Sequence, residues 1–343
     1  MEPASPHKKP ATVDFRHITP AKRRPSQYEE VTLHTQWSPK HFATQGWFSP
    51  ASNGRPAWSE DSTRLHASDW WQYRDPTQEW FRSYVEHQAK QEDAIELAVE
   101  GATHAGLFAE MPPKWREMLS RYYAAYRYLE YGLFLGFSHA QREALSDVVA
   151  NPLVFQGLDK DRHAQAIALY GMDLENAIPG FSDADARQVW LEDPIYQPSR
   201  EFVERMLACR DWGEIIVAVN LLFEPLVATL LLRELFIRFA GRHGDTVTPV
   251  ILETVEADRR RHQAATVALL QFLFADTPAN REVVQEWLNA WAPLVVRAAH
   301  AFAPLFARPE EKPLTFATAW QRVTQSFTQL LDSLHLLTPQ EVR

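Results

Sequence analysis

Cysteine, glycine and positive charge are scarce in this sequence of 343 residues. The only cysteine is Cys209, so an internal disulfide and a cysteine metal cluster are excluded. The formal net charge of −9 argues against general nucleic-acid binding, which needs a basic surface. The N-terminus has no signal-peptide apolar core, and we therefore expect a cytoplasmic protein.

Several sequence motifs that carry chemistry are also missing. There is no G-x-G-x-x-G, no Walker loop and no G-x-S-x-G elbow. Carboxylate-bridged di-iron bundles need one Glu from each of two helices and a Glu-x-x-His from each of two others. None of the thirteen histidines has a glutamate three residues before it. The usual ligand pattern of a di-iron site is therefore absent.

What the sequence does contain is a long apolar stretch at residues 211–239, with no charge from Ile215 to Phe223. A helix that is hydrophobic on all sides must be surrounded by other elements. Glu224 and Pro225 interrupt the run before it reaches the roughly 18 uncharged residues of a membrane span. We therefore predict a central bundle helix and no membrane contact. Apolar spacing elsewhere predicts roughly eight helices and no strand, an all-α protein.

Proline, glycine and capping residues set the predicted helix limits. Asp75, which is followed by proline, is predicted to be the N-cap of one helix. Pro152 is predicted to end a long helix that begins near residue 113. Gly132 and Gly136 lie four residues apart within that helix, a spacing that lets two helices approach closely.

The first 68 residues are rich in proline and tryptophan, and we predict that they form an extended arm. Proline disfavours long helices there, yet the aromatic content is too high for a segment that stays solvated. We expect the arm to lie across another surface, such as a partner chain. Tryptophan is enriched at protein interfaces. The interface candidates are Trp37, Trp47, Trp58, Trp70 and Trp71. The predicted domains are the arm (1–68), a helical domain (69–307) and a linker with a C-terminal helix (308–343).

One predicted core helix carries residues that look like a metal site with a ligand changed. Arg259 stands three residues before His262, where a metal-binding carboxylate would be. A guanidinium only donates hydrogen bonds, so it cannot bind a metal ion. Glu130, on another helix, is a candidate partner because a buried charge is costly unless it is paired. We predict a vestigial, metal-free cluster of these three residues. The alternative is that Arg259 and His262 lie on a solvated helix face.

Several segments resemble the β (small) subunit of the hydroxylase component of soluble bacterial di-iron monooxygenases, which oxidise methane, alkenes, propane, toluene or phenol. The resemblance covers the chain from about residue 20 to about residue 300. The segments are GRPAWSEDSTRL (54–65), DWWQYRDPTQEW (69–80), YRYLEYGLFLGFSHAQREALSDV (126–148), DWGEIIVAVNLLFEPL (211–226) and FAGRHGDTVTPVI (239–251).

The resemblance implies a ferritin-like helical bundle without its own iron. It implies no cofactor in this chain, a di-iron centre in a partner α subunit, and an (αβ)2 core in which this chain is non-catalytic. It also implies electrons from NADH through a flavin and iron–sulfur reductase, a coupling protein and, in some branches, a third small subunit. Two alternatives stay open. One is an unrelated helical scaffold, and the other is a divergent oxidase that binds metal through Glu130, His262 and carboxylates such as Glu214 or Glu224.

Overall fold

The computed structural model describes residues 18, 20, 22, 24–33 and 59–343. Counted as continuous helices, ten α-helices and no strand occur in this part of the chain, which confirms the all-α class. They are α1 (Gln27–Thr32), α2 (Phe81–His104), α3 (113–143), α4 (Asp147–Ala177), α5 (Ala186–Glu192), α6 (Gln197–Ala208), α7 (212–240), α8 (Thr248–Asp276), α9 (Asn280–Ala301) and α10 (Phe316–Ser333).

Four of these helices form a closed bundle. Helix α3 packs on α4, α4 on α8, α8 on α7, and α7 on α3, while α6, α9 and α10 cover the outside. Asp211 caps α7 by accepting hydrogen bonds from the backbone N–H of Gly213 and Glu214. Asp245 does the same for α8, accepting from Val247 and Thr248 at 3.1 and 2.9 Å. The bundle therefore consists of two helical hairpins, α3–α4 and α7–α8.

Helix α7 is the predicted central helix. Two helical stretches of the described chain, Trp212–His243 and Asn280–Ala307, are long and apolar enough to cross a membrane by length and composition. In the first of them, 89% of the most apolar 18 residues are buried by the surrounding helices. This burial explains the apolar sequence of α7 without a membrane.

Helices α3 and α7 contain segments of π-helix, with wider turns than an α-helix. The segments are Met118–Tyr123 and Val217–Ile237, and the second contains Pro225. π-Helical turns are rare and frequently found at functional sites. In α7 the π-helix carries Asn220 and Glu224 into the bundle, where both are buried.

Two predicted helix limits are wrong. Asp75 caps a short turn instead, accepting from the N–H and hydroxyl of Thr77. Gln78 then adopts a positive φ of 50°, which breaks any helix, and α2 begins only at Phe81. Pro152 lies inside α4 and does not end a helix. The break comes earlier, where Ala144 and Ser146 are extended.

The segment between Ser59 and Tyr73 is attached to the bundle by hydrogen bonds and ring contacts. The indole N–H of Trp212 donates to Ser62 Oγ at 3.1 Å, and the Tyr73 hydroxyl donates to the carbonyl of Ala265 at 3.0 Å. Trp70 packs edge-on against Trp212, with ring centroids 5.5 Å apart. Three of the interface candidates, Trp37, Trp47 and Trp58, lie outside the described residues. The division of the chain at residues 68 and 307 stays a prediction.

The two glycines of α3 allow α6 to approach closely, as their spacing predicts. A Cβ atom at Gly132 would overlap with Cγ1 of Val203, and one at Gly136 would overlap with Sδ of Met206. Both contacts therefore depend on the missing side chain.

We expect Gly132→Ala to lower the free energy of unfolding by about 1–2 kcal/mol, because overpacking outweighs the gain in helix propensity. Gly136→Ala should cost less, since the thioether end of Met206 can move whereas Val203 is β-branched. Gly101→Ala is the control. It has nothing within 4 Å and should raise stability by about 0.5–1 kcal/mol. Denaturant titration measures all three, and equal effects at positions 101 and 132 would contradict the close packing.

Candidate functional site

Each of the four bundle helices contributes polar side chains to one buried cluster, which we call the central site. Glu130 comes from α3, Lys160 and His163 from α4, Glu224 from α7, and Arg259 and His262 from α8. None of the six residues is more than 8% exposed. On α4 and on α8 the two residues are three apart, a spacing that places both on one face of a helix.

Glu130 lies between the two polar residues of α4. Its Oε2 is 3.4 Å from Lys160 Nζ, and its Oε1 is 3.2 Å from His163 Nδ1. Neither carboxylate oxygen has a well-aligned hydrogen-bond donor among the described residues. Glu130 is therefore held mainly by the nearby positive charge.

Glu224 connects the two cations of the central site. Its Oε1 pairs with Lys160 Nζ, and its Oε2 is 3.0 Å from Arg259 Nε. Arg259 also pairs with Glu256 through Nη1, and its Nη2 donates to the Glu224 carbonyl and to Thr229 Oγ1. All three nitrogens of the Arg259 guanidinium thus have partners within the bundle.

The electrostatics of the central site favour ionised carboxylates and neutral imidazoles. Burial raises the pKa of Glu130, but Lys160, His163 and Arg259 together lower it to about 2. Burial and the charge of Lys160 lower the pKa of His262 to about 3, and burial also lowers that of His163. At neutral pH the central site therefore holds charged Glu, Lys and Arg side chains and uncharged histidines.

A second layer of buried charges supports His262. Its Nε2 donates to Asp159 Oδ2 at 2.7 Å, and Nδ1 has no hydrogen-bond partner among the described residues. Asp159 also pairs with Arg261. Asp258 pairs with Arg162 and accepts from Gln88 Nε2 at 2.9 Å. These contacts fix the orientation of the His262 ring.

The structure brings together all three residues that the sequence singled out, although not in the predicted pairs. Arg259 and His262 are 8% and 4% exposed, so the alternative of a solvated face does not hold. The pairing of Arg259 with Glu130 is wrong, because Glu224 and Glu256 take up the guanidinium.

Sequence reasoning missed Lys160 and His163 because the search required a glutamate three residues before each histidine. Lys160-x-x-His163 has the same spacing as Arg259-x-x-His262. A search that allowed a cation at the first position would have found both pairs.

Trp70 and Trp71 are both half-buried and packed against the bundle core. Glu214, a metal-ligand candidate under the oxidase alternative, accepts a hydrogen bond from Trp291 Nε1 at 2.8 Å instead.

The residues of the central site do not fit a di-iron centre. Lys160 and Arg259 can only donate hydrogen bonds in their charged forms, and both repel a metal ion. Burial alone would lower the pKa of each, yet the neighbouring carboxylates raise it above the usual value. No group of three or more His, Cys, Asp or Glu side chains in the described residues is placed to hold a metal.

The family model and the similar proteins described next all belong to one family of hydroxylases. The model of the Methane/Phenol/Alkene Hydroxylase family matches residues 47–277. The chain is 34% identical to the small subunit of the hydroxylase component of propane 2-monooxygenase from Rhodococcus jostii (strain RHA1), over 96% of this chain and 90% of the relative. It is 31% identical to the beta chain of methane monooxygenase component A from Methylococcus capsulatus (strain Bath), over 85% of this chain and 78% of that relative.

Solved structures agree on the fold. A phenol hydroxylase chain from Pseudomonas sp. OX1 superposes with a TM-score of 0.79 at 19% identity, covering 98% of this chain and 99% of that one. A toluene 4-monooxygenase chain gives a TM-score of 0.72 at 24% identity, covering 81% of this chain and 93% of that one. These likenesses confirm the predicted ferritin-like helical bundle. The match to the family model and the relatives named small subunit and beta chain show that this chain belongs to the methane/phenol/alkene hydroxylase family.

Proposed function

We propose that this chain is the non-catalytic β subunit of a cytoplasmic di-iron monooxygenase hydroxylase that oxidises a small hydrocarbon of the alkene, propane or methane type. The observation that carries the proposal is the central site, where two cations fill the places that a di-iron bundle gives to glutamates. The relatives named small subunit or beta chain support the same role.

In this role the chain stabilises a dimer of an iron-containing α subunit within an (αβ)2 core. The α subunit activates O2 with electrons that come from NADH through a flavin and iron–sulfur reductase. A coupling protein regulates turnover, and some branches of the family add a third small subunit. The relation to propane 2-monooxygenase small subunits favours propane among the candidate substrates.

The proposal is tested by producing this chain with and without a large chain that bears two Glu-x-x-His motifs. We expect the two to co-purify, and we expect about two irons on the large chain and none on this one after the subunits are separated. Oxygenase activity should need both chains. Iron retained by this chain, or activity from it alone, would reject the non-catalytic role.

We also predict that Trp71→Ala or Trp70→Ala weakens assembly more than folding, because both lie in the segment that joins the arm to the bundle. The expected loss of affinity for the α subunit is at least about tenfold, as for an interfacial tryptophan. Because Trp70 packs on Trp212, part of the effect of Trp70→Ala is expected on folding.

A matched control is Trp320→Ala on α10, another half-buried tryptophan packed against the core. It should lower the melting temperature and leave the dissociation constant unchanged. A large drop in melting temperature for Trp71→Ala, with unchanged affinity, would contradict the assignment of Trp71 to the interface.

A further inference from the structure

We propose that the central site keeps the helical ligand frame of a dinuclear metal site with two cationic side chains in place of two ligands, and that exchanging Lys160 and Arg259 for glutamate creates metal binding. The helical ligand frame of a di-iron bundle has six members: a Glu from each of two helices and a Glu-x-x-His from each of the other two. Four of the six are present here. They are Glu130, Glu224, His163 and His262, each on the helix that the frame requires.

The contacts of Glu224 are those of a bridging carboxylate. One oxygen pairs with Lys160 and the other lies 3.0 Å from Arg259. In a dinuclear centre a bridging carboxylate likewise contacts two cations, one with each oxygen. Here an ammonium and a guanidinium supply the two positive charges.

His262 has the hydrogen bonding of a metal ligand without the metal. A metal-binding histidine usually donates its other ring N–H to a carboxylate, which fixes the tautomer and the ring orientation. The Nε2–H of His262 makes such a bond to Asp159 at 2.7 Å. This leaves Nδ1 as a buried acceptor with no hydrogen-bond partner among the described residues, which ordinarily carries a cost.

The central site also has the net charge that the glutamate variant would have with two divalent metal ions bound. Glu130 and Glu224 carry two negative charges, and Lys160 and Arg259 carry two positive ones, which leaves no net charge. With both cations exchanged for glutamate, four carboxylates and two divalent ions also leave no net charge. The exchange without metal leaves four buried carboxylates, which cannot all stay ionised.

A route for ions exists on one side of the bundle. A cleft of about 170 Å³ between α7, α8 and α10 is lined by Glu224, Arg259 and His262 at its inner end. Polar residues line its outer part, among them Gln263 and Ser326. A metal ion can therefore enter without unfolding of the bundle.

The test uses the full-length double variant Lys160→Glu/Arg259→Glu, refolded with and without Co²⁺. The wild-type chain is treated in the same way and with the same partner chains. The difference in metal content between the two samples then excludes any metal that a partner chain holds. We expect about two Co²⁺ per variant chain by elemental analysis, visible Co²⁺ absorption bands, and refolding that depends on the metal. The wild-type chain should refold without metal and bind none at the central site.

Two controls separate metal binding from charge or packing. Lys160→Gln/Arg259→Gln removes the cations without adding ligands, and should bind no Co²⁺. Adding His262→Ala to the double glutamate variant removes Nδ1 and should weaken Co²⁺ binding by more than about 10-fold, since losing even an outer-shell partner of a metal ligand costs that much.

Three results would overturn the proposal. One is a double glutamate variant that refolds but gains no Co²⁺. Another is a double glutamate variant that fails to refold in the presence of Co²⁺. The third is Co²⁺ binding that is indifferent to His262→Ala. None of these results depends on whether the chain serves as a β subunit, which the co-purification experiment tests separately.

Discussion

Lys160→Met is expected to lower the free energy of unfolding by about 3–5 kcal/mol, the usual cost of removing one partner from a buried ion pair. Lys160 is the cation that lies between Glu130 and Glu224, and all three side chains are buried. Methionine keeps much of the length of the lysine side chain, so the loss reports charge more than volume. Without the ammonium, two carboxylates on facing helices repel each other in a dry environment. Urea denaturation of the full-length chain measures the effect.

Two controls show whether charge is the cause. Arg82→Met breaks the exposed pair of Arg82 with Glu86, and should change stability by less than about 0.5 kcal/mol. Adding Glu130→Gln and Glu224→Gln to Lys160→Met removes the repelling charges and should recover part of the loss. A loss below about 1 kcal/mol for Lys160→Met, or no recovery, would show that the central site is not held by these charges.

Acid is expected to destabilise the chain between pH 6.5 and pH 5. The pKa of His262 is lowered to about 3 and that of His163 is also lowered, in both cases first of all by burial. Below pH 6.5 the unfolded chain takes up protons on these imidazoles more readily than the folded chain does. Their contribution is thus complete above pH 6.5 and is lost as the pH falls. The expected slope is up to about 1.4 kcal/mol per pH unit for each histidine.

The variant His262→Gln isolates one of these imidazoles. Its stability should fall less steeply between pH 6.5 and pH 5 than that of the wild-type chain. The comparison is needed because burial raises the pKa of Asp159, a carboxyl whose contribution has the opposite sign. Parallel stability curves for the variant and the wild-type chain would contradict a buried neutral His262.

A central site built from cations has a consequence for the proposed role of the chain. Its charges are permanent parts of the polypeptide, so the bundle needs no metal to neutralise Glu130 and Glu224. Metal-dependent bundles gain part of their folding free energy from the ion they bind. In its proposed role the chain can therefore fold before any iron is available.

Several residues of the central site could be predicted from the sequence. The others could not, because their contacts join different helices. Arg259 and His262 are three residues apart on one helix, so local spacing was enough to place them together. Glu130 was recognised as a charge on an apolar helix. Its partners are Lys160 and His163 on α4, and this pairing depends on the contact between two helices. Asp159 was missed for the same reason, since it meets His262 across 103 positions of sequence.

The amino-acid sequence alone determined the all-α class, the central position of α7 and the absence of the Glu-x-x-His pattern. These properties follow from local composition and periodicity, which each segment carries whatever its neighbours are. Only the tertiary structure decided that Glu224 bridges Lys160 and Arg259, and that His262 turns one nitrogen to Asp159 and leaves the other without a partner. The reason is physical: a buried charge must find its partner in space, and the partners here come from four helices whose packing no single segment specifies.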